Sequence, residues 1–274
     1  IKTEDYAGGL IFEWMDEWAK KTWTTEPFII PYEHNVFWHN AMDPEQNYGI
    51  LAAESKKPEV AQMTMTGSNM LEKVELRTDE TYVYIDIKSS DKIDLNTNKL
   101  FIGLDTYDSQ KGSHLYSPNI SLNSPTGMEF LVELSEKNAS LLTIPEYNIG
   151  NYRFASTKNA NNRFERIMPI VNSKRVTKDG RFIPEIRNDN SRLNKGDFNQ
   201  SFYHWNQNND TISLRLPWAL LNITDPTTHR VLNDVGIYSD YPARDTLETA
   251  TTDGIRFTFL LTENNTVYDQ LPNN

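Results

Sequence analysis

Residues 74–90 read VELRTDETYVYIDIKSS, and the pattern of that stretch decides the fold. Val83, Ile85 and Ile87 alternate with Tyr84, Asp86 and Lys88, the period-two signature of a half-buried strand. The run beginning at Val74 is a second strand, and Thr78-Asp79-Glu80 between the two has the composition of a turn. The stretch predicts an antiparallel hairpin.

The same texture continues toward the C-terminus. KLFIGLDTYD (99–108) is a strand running into a polar end, and GMEFLVELSEKNASLLTI (127–144) is a hairpin turning at Glu136-Lys137-Asn138. DTISLRLPWALLNI (210–223) alternates Ile212, Leu214 and Leu216 and stops at Pro217, which leaves Trp218 as a core residue. GIRFTFLLTENNTVYDQL (254–271) is a strand that turns at Asn264-Asn265. Segment 145–200 reads as long loops around strands near 151–156 and 164–171. Many short strands with Asn, Gly and Pro between them predict a mainly β fold, an antiparallel β-sandwich of about 8–10 strands.

Residues 1–62 differ. They hold four of the six tryptophans (Trp14, Trp18, Trp23 and Trp38), one short apolar strand at Leu10-Ile11-Phe12, a helix near 15–21 and Pro-punctuated loops. The expected organisation is therefore a 1–62 segment followed by a 63–274 sandwich.

Composition removes several function classes. With 27 basic against 38 acidic residues the formal charge is −11, which disfavours nucleic acid and anionic membrane as partners. The 274 residues include no cysteine, so disulfides, thiol chemistry and Cys-based zinc sites are excluded. No apolar run is long enough to span a bilayer. Residues 1–12 lack a basic n-region and a cleavage site, so any export signal is expected upstream of Ile1. The five histidines form no HExxH pattern, and no Walker loop, GxGxxG or GxSxG is present.

GGLIFEWMDEW (8–18) resembles the eighth barrel strand of glycoside hydrolase family 2 enzymes. NYGILAAESKKPEV (47–60) is similar to the segment before that family's last barrel helix. The family's two catalytic glutamates sit on barrel strands four and seven, neither of which lies in this chain. The resemblance therefore gives Glu13, Asp16 and Glu17 no catalytic role, and Trp14 matches at most a wall of the sugar pocket. It makes residues 1–62 the end of a (β/α)8 barrel, too little to form one. TDETYVYIDIKSSD (78–91) and ISLRLPWALLNITDP (212–226) resemble strands of carbohydrate-binding module family 9 and DOMON-like β-sandwiches.

Together the resemblances imply a non-catalytic, C-terminal carbohydrate-binding or accessory domain of a larger carbohydrate-active protein. That protein would be bacterial and extracellular or cell-surface. Its partners would be a polysaccharide or oligosaccharide and the upstream catalytic domain of the same chain. The alternatives are a purely structural domain buttressing the barrel, part of a parent classed as a glycosyltransferase, or an enzyme in its own right. A row of exposed aromatics would favour sugar binding, an exposed apolar patch on 1–62 a buttress, and a deep acid-lined pocket an enzyme.

Aromatics in polar loops can stack on pyranose rings, which makes Tyr107, Tyr116, Tyr203 and Trp205 the candidate sugar contacts. SFYHWNQNND (201–210) combines aromatics with amides, and an extended backbone would put Tyr203 and Trp205 on one face. Calcium needs six to eight oxygens. The loops LDTYDSQKG (104–112) and RNDNSRLNKGDFN (187–199) offer Asp105, Asp108 and Asp189 for a structural calcium ion, although Asx-rich loops more often satisfy their own turns.

Overall fold

The computed structural model describes residues 3, 8–22, 25, 28–32, 37–151, 164–233 and 247–272. Strands β1 (Met63–Thr66), β2 (Leu71–Thr78), β3 (Tyr82–Ser89) and β4 (Asn98–Asp105) come first. They are followed by β5 (Phe130–Leu134), β6 (Ala139–Thr143) and β7 (Glu165–Arg166). The two large sheets are completed by β8 (Trp205–Asn208), β9 (Thr211–Pro217), β10 (Arg256–Glu263) and β11 (Thr266–Leu271), with shorter strands in small separate sheets between them. Two antiparallel sheets result, one in the order β1-β2-β3-β9-β8 and the other β11-β10-β4-β5-β6-β7. The chain is mainly β, consistent with the expected sandwich. No helix among the described residues is long and apolar enough to cross a membrane.

The hairpin of 74–90 forms as its pattern predicts. Asp79 makes the turn: its Oδ1 accepts the N–H groups of Thr81 at 2.8 Å and Tyr82 at 2.7 Å, an Asx-type cap. Trp218 is buried, and its indole N–H donates to the Asp79 carbonyl at 2.9 Å. In the other sheet, Asn264 and Asn265 turn β10 into β11 with φ of 49° and 65°, as a tight hairpin requires.

Register sets the core face of the first sheet. Leu76 pairs with Ile85, and Ile85 with Leu214. Val83, Ile87, Ile212 and Leu216 join them in one hydrophobic cluster with the second sheet's Leu100, Ile102, Phe259 and Val132.

The opposite faces are covered as well. Phe101, Leu131 and Leu260 on the second sheet are buried, and Tyr116 packs edge-on against Phe101 with ring centroids 6.4 Å apart. On the first sheet the alternation expects Tyr84 to face outward, yet it and Tyr82, on the same side, are 1% exposed or less and pack with Trp18. The cover is the N-terminal segment. His39 lies against Trp18 and Tyr82, Ser55 bonds the Tyr84 hydroxyl, and Lys57 pairs with Asp86. Farther on, Phe28, Ile30, Trp38 and Met42 belong to the same cluster as both sheets. The 62/63 boundary therefore marks a change of texture within one shared core.

Arg215 on β9 is 1% exposed beneath this cover. Its guanidinium donates to the carbonyls of Tyr203 at 2.9 Å, Phe198 at 3.3 Å and Gln200, and lies 4.8 Å from the Tyr82 ring centre. Burial, together with His204 and Arg215, pushes His39 down to about 3, and burial with Arg215 takes His204 to about 4. His204 Nδ1 accepts the Asn194 N–H at 3.1 Å.

The helix expected near 15–21 is absent; that stretch is irregular with a turn at Trp18-Ala19. Its Trp18 and Asp16 are held by tertiary contacts, which override weak helix propensity. The strand expected near 151–156 falls largely outside the described residues, whereas 164–171 contributes β7 and a short ladder from Ile170.

Two outcomes follow from the shared core. Trp38→Ala should cost about 3–5 kcal/mol in chemical denaturation, and a chain starting at residue 63 should lose its cooperative melt. Because His39 and His204 resist protonation only when folded, the unfolded chain takes up their protons first as pH falls. Stability should drop progressively from about pH 6.5, the ordinary histidine value, toward 4, and His39→Gln should flatten that slope in melts recorded across this range.

Candidate functional site

GGLIFEWMDEW begins with an apolar run that has no core to enter. Leu10, Ile11 and Phe12, expected as a buried strand, are exposed, as are Trp14 (71%) and Met15. Backbone bonds tie the stretch to 48–51. Ile50 donates to the Glu13 carbonyl, Leu51 to Trp14 and Asp16 to the Leu51 carbonyl, each at 3.0 Å, with a parallel bridge between Met15 and Leu51. Tyr48, Ile50 and Leu51 are exposed on the second chain. The result is a short parallel ribbon carrying apolar side chains into solvent.

Asp16 fixes the ribbon and was missed as a structural residue. It is 8% exposed, and its carboxylate accepts the N–H groups of Gly49 at 2.9 Å and Ala53 at 3.0 Å. Glu13 pairs with Lys20 at 3.0 Å, and Glu17 and Glu45 lie 3.5 and 3.7 Å from the same ammonium. These acids are engaged in holding the segment together, and Trp14 stands on an open apolar face.

A second feature gathers Asp189, Tyr203 and Trp205. All three line a groove of about 770 Å³ at the β8 edge, together with Arg166, Lys195 and Phe202. Trp205 was read as a loop aromatic, but it opens β8 opposite Leu214 and is 2% exposed. The Lys195 ammonium sits 4.9 Å over its ring, so only the groove floor belongs to Trp205. Tyr203 is half-buried against Gly196, where a Cβ would come within 2.5 Å of the ring. Asp189 is paired with Arg166 at 2.5 Å, and Lys195 with Glu136 at 2.8 Å.

The remaining candidates lie apart. Tyr116 is buried on the second sheet. Tyr107 stacks on Tyr147 with centroids 5.2 Å apart, and its hydroxyl donates to Asn233 Oδ1 at 2.8 Å. Asp105 is buried, accepts from Thr126 and pairs with Arg256 at 3.2 Å, while Asp108 caps its own turn through the Gln110 N–H at 3.0 Å. Among the described residues no three His, Asp or Glu side chains converge as metal ligands.

If Trp205 is a core residue, Trp205→Ala should cost about 3–5 kcal/mol, measured by denaturation. Tyr203→Ala, at a half-exposed ring, should cost far less. Equal, small losses from both would return Trp205 to the surface. Compared with known proteins, the chain matches no family model, no curated protein and no solved structure.

Proposed function

We propose that this chain is an accessory β-sandwich of a larger carbohydrate-active protein, and that it docks onto the catalytic domain upstream of it. The observation that carries this is the exposed apolar ribbon of 10–15 and 48–51. Parallel strands normally occur in sheets covered on both faces, and contiguous exposed apolar patches mark interaction surfaces. Two segments joined by a parallel bridge and carrying exposed apolar side chains are suited to packing on a neighbouring unit. Its resemblance to a glycoside hydrolase family 2 barrel end supplies the identity of that unit.

The resemblance to family 9 modules and DOMON-like sandwiches puts the protein at a bacterial cell exterior. The resemblance to the family 2 barrel end, without the strands that carry that family's glutamates, implies a non-catalytic chain with a (β/α)8-derived N-terminal segment. Retention on a polysaccharide is the second reading, and the groove beside Tyr203 and Trp205 favours it. No row of exposed aromatics accompanies that groove among the described residues, so docking is the reading preferred here.

The test is the triple substitution Leu10→Ser, Ile11→Ser and Trp14→Ser. In the isolated chain it should lower anilinonaphthalene sulfonate fluorescence and self-association severalfold while leaving the melting temperature within a few degrees. In the longer protein it should split a single melting transition into two. A triple variant that unfolds by itself would mean that these side chains belong to the core of this chain.

A further inference from the structure

A buried carboxyl just before β5 is used by none of the contacts described so far. Glu129 stands between Met128 and Phe130 and is 1% exposed. Its Oε2 accepts the N–H groups of Thr106 at 2.8 Å and Tyr107 at 3.2 Å, whereas Oε1 has no partner. The residue lines a pocket of about 260 Å³ with Tyr107, Gln110, Glu146 and Tyr147.

Two glycines build the wall. A Cβ on Gly127 would lie 1.5 Å from the Lys111 carbonyl oxygen, and one on Gly112, at φ +77°, would lie 2.7 Å from the Met128 backbone. The 108–112 loop can therefore close against the strand that delivers Glu129.

The chemistry of the pocket selects a cation with N–H bonds. A buried carboxyl oxygen without a partner gains most from a donor that also carries charge. Among the groups that shift the Glu129 carboxyl there is no cation, and its Oε1 is without a hydrogen bond. The aromatic wall already accepts a cationic nitrogen, because the Lys111 ammonium lies 4.9 Å over the Tyr107 ring. A net charge of −11 favours the approach of cations. We propose that this pocket binds a compact primary ammonium group, with Glu129 Oε1 accepting one N–H bond and the stacked Tyr107 and Tyr147 forming the wall beside it. The proposal is independent of the docking surface and would survive its failure.

Burial pushes the Glu129 carboxyl up to about 7, against the pull of the Thr106 and Tyr107 N–H groups, and Asp105 adds to the rise. The other titratable groups around it are Asp108 and Lys111 on the loop, Tyr107, and Glu146 and Tyr147 after β6. Ammonium binding should therefore strengthen as Glu129 ionises.

The experiment follows the Glu129 carboxyl by carbon NMR in the whole chain, with and without ethylamine. The titration midpoint should fall by at least one pH unit on saturation, and affinity should be about tenfold weaker at pH 6 than at pH 8. Tetramethylammonium, which has no N–H, should bind at least tenfold more weakly, and ethanol should not move the midpoint. Glu129→Gln keeps an acceptor for the two backbone N–H groups and should abolish binding with little change in melting. Unchanged ethylamine binding in that variant overturns the proposal. So does calcium chloride displacing ethylamine, which would make the pocket a metal site. If Glu129→Gln does not fold, an unmoved wild-type midpoint overturns it equally.

Discussion

A sheet that buries both faces must recruit a cover from elsewhere in the chain, and that constraint shapes this protein. Antiparallel sandwiches commonly give one face of each sheet to water. Here Tyr82, Tyr84 and Arg215 occupy the outward side of the first sheet and are as buried as the core. The cover is irregular backbone from the N-terminal segment, so its polar groups need partners. Thr81 donates to the Phe37 carbonyl, Asn40 to the Lys20 carbonyl, and Ser55 bonds the Tyr84 hydroxyl. A buried guanidinium held mainly by carbonyls keeps its hydrogen bonds without bringing a second buried charge. Those carbonyls come from residues 198–203, while the N-terminal segment covers the Tyr82 and Tyr84 rings beside the cation, which makes that segment part of the fold.

The second sheet solves the same problem with a shorter excursion. The chain between β4 and β5 returns over this sheet, placing Tyr116 on Phe101 and Met128 over Gly103 and Thr258. A side chain at Gly103 would meet Met128 Sδ at 2.1 Å, so the cover fits closely enough to demand glycine beneath it. Both covers come from segments that look like loops when read alone.

That explains what could be read from the sequence. Alternation along 83–87 and 212–216 specified the central strands, because a period of two survives wherever one face meets the core. The turns at Asp79, Glu136-Lys137-Asn138 and Asn264-Asn265 were visible in side-chain chemistry alone. Tyr82 and Tyr84 were not, since a tyrosine at an outward position suits water as well as a covered surface. Trp205 misled for a related reason: its neighbours are amides, and only pairing with Leu214 turns it inward. Glu129 did leave a signal, a lone acid between Met128 and Phe130 in an apolar run. Asp16 left none, because its two backbone donors come from more than thirty residues away.

The cover on the first sheet also sets an order of events during synthesis. Trp18 and His39 leave the ribosome long before β9, whose Arg215 completes the surface they sit on. Until residue 217 has emerged, the earliest apolar side chains have no finished sheet to pack against. Long-range pairing of this kind folds slowly and leaves apolar segments exposed meanwhile. The emerging chain is thus a natural client for a chaperone that holds residues 8–62, and translation pauses before β9 would lengthen the period of risk.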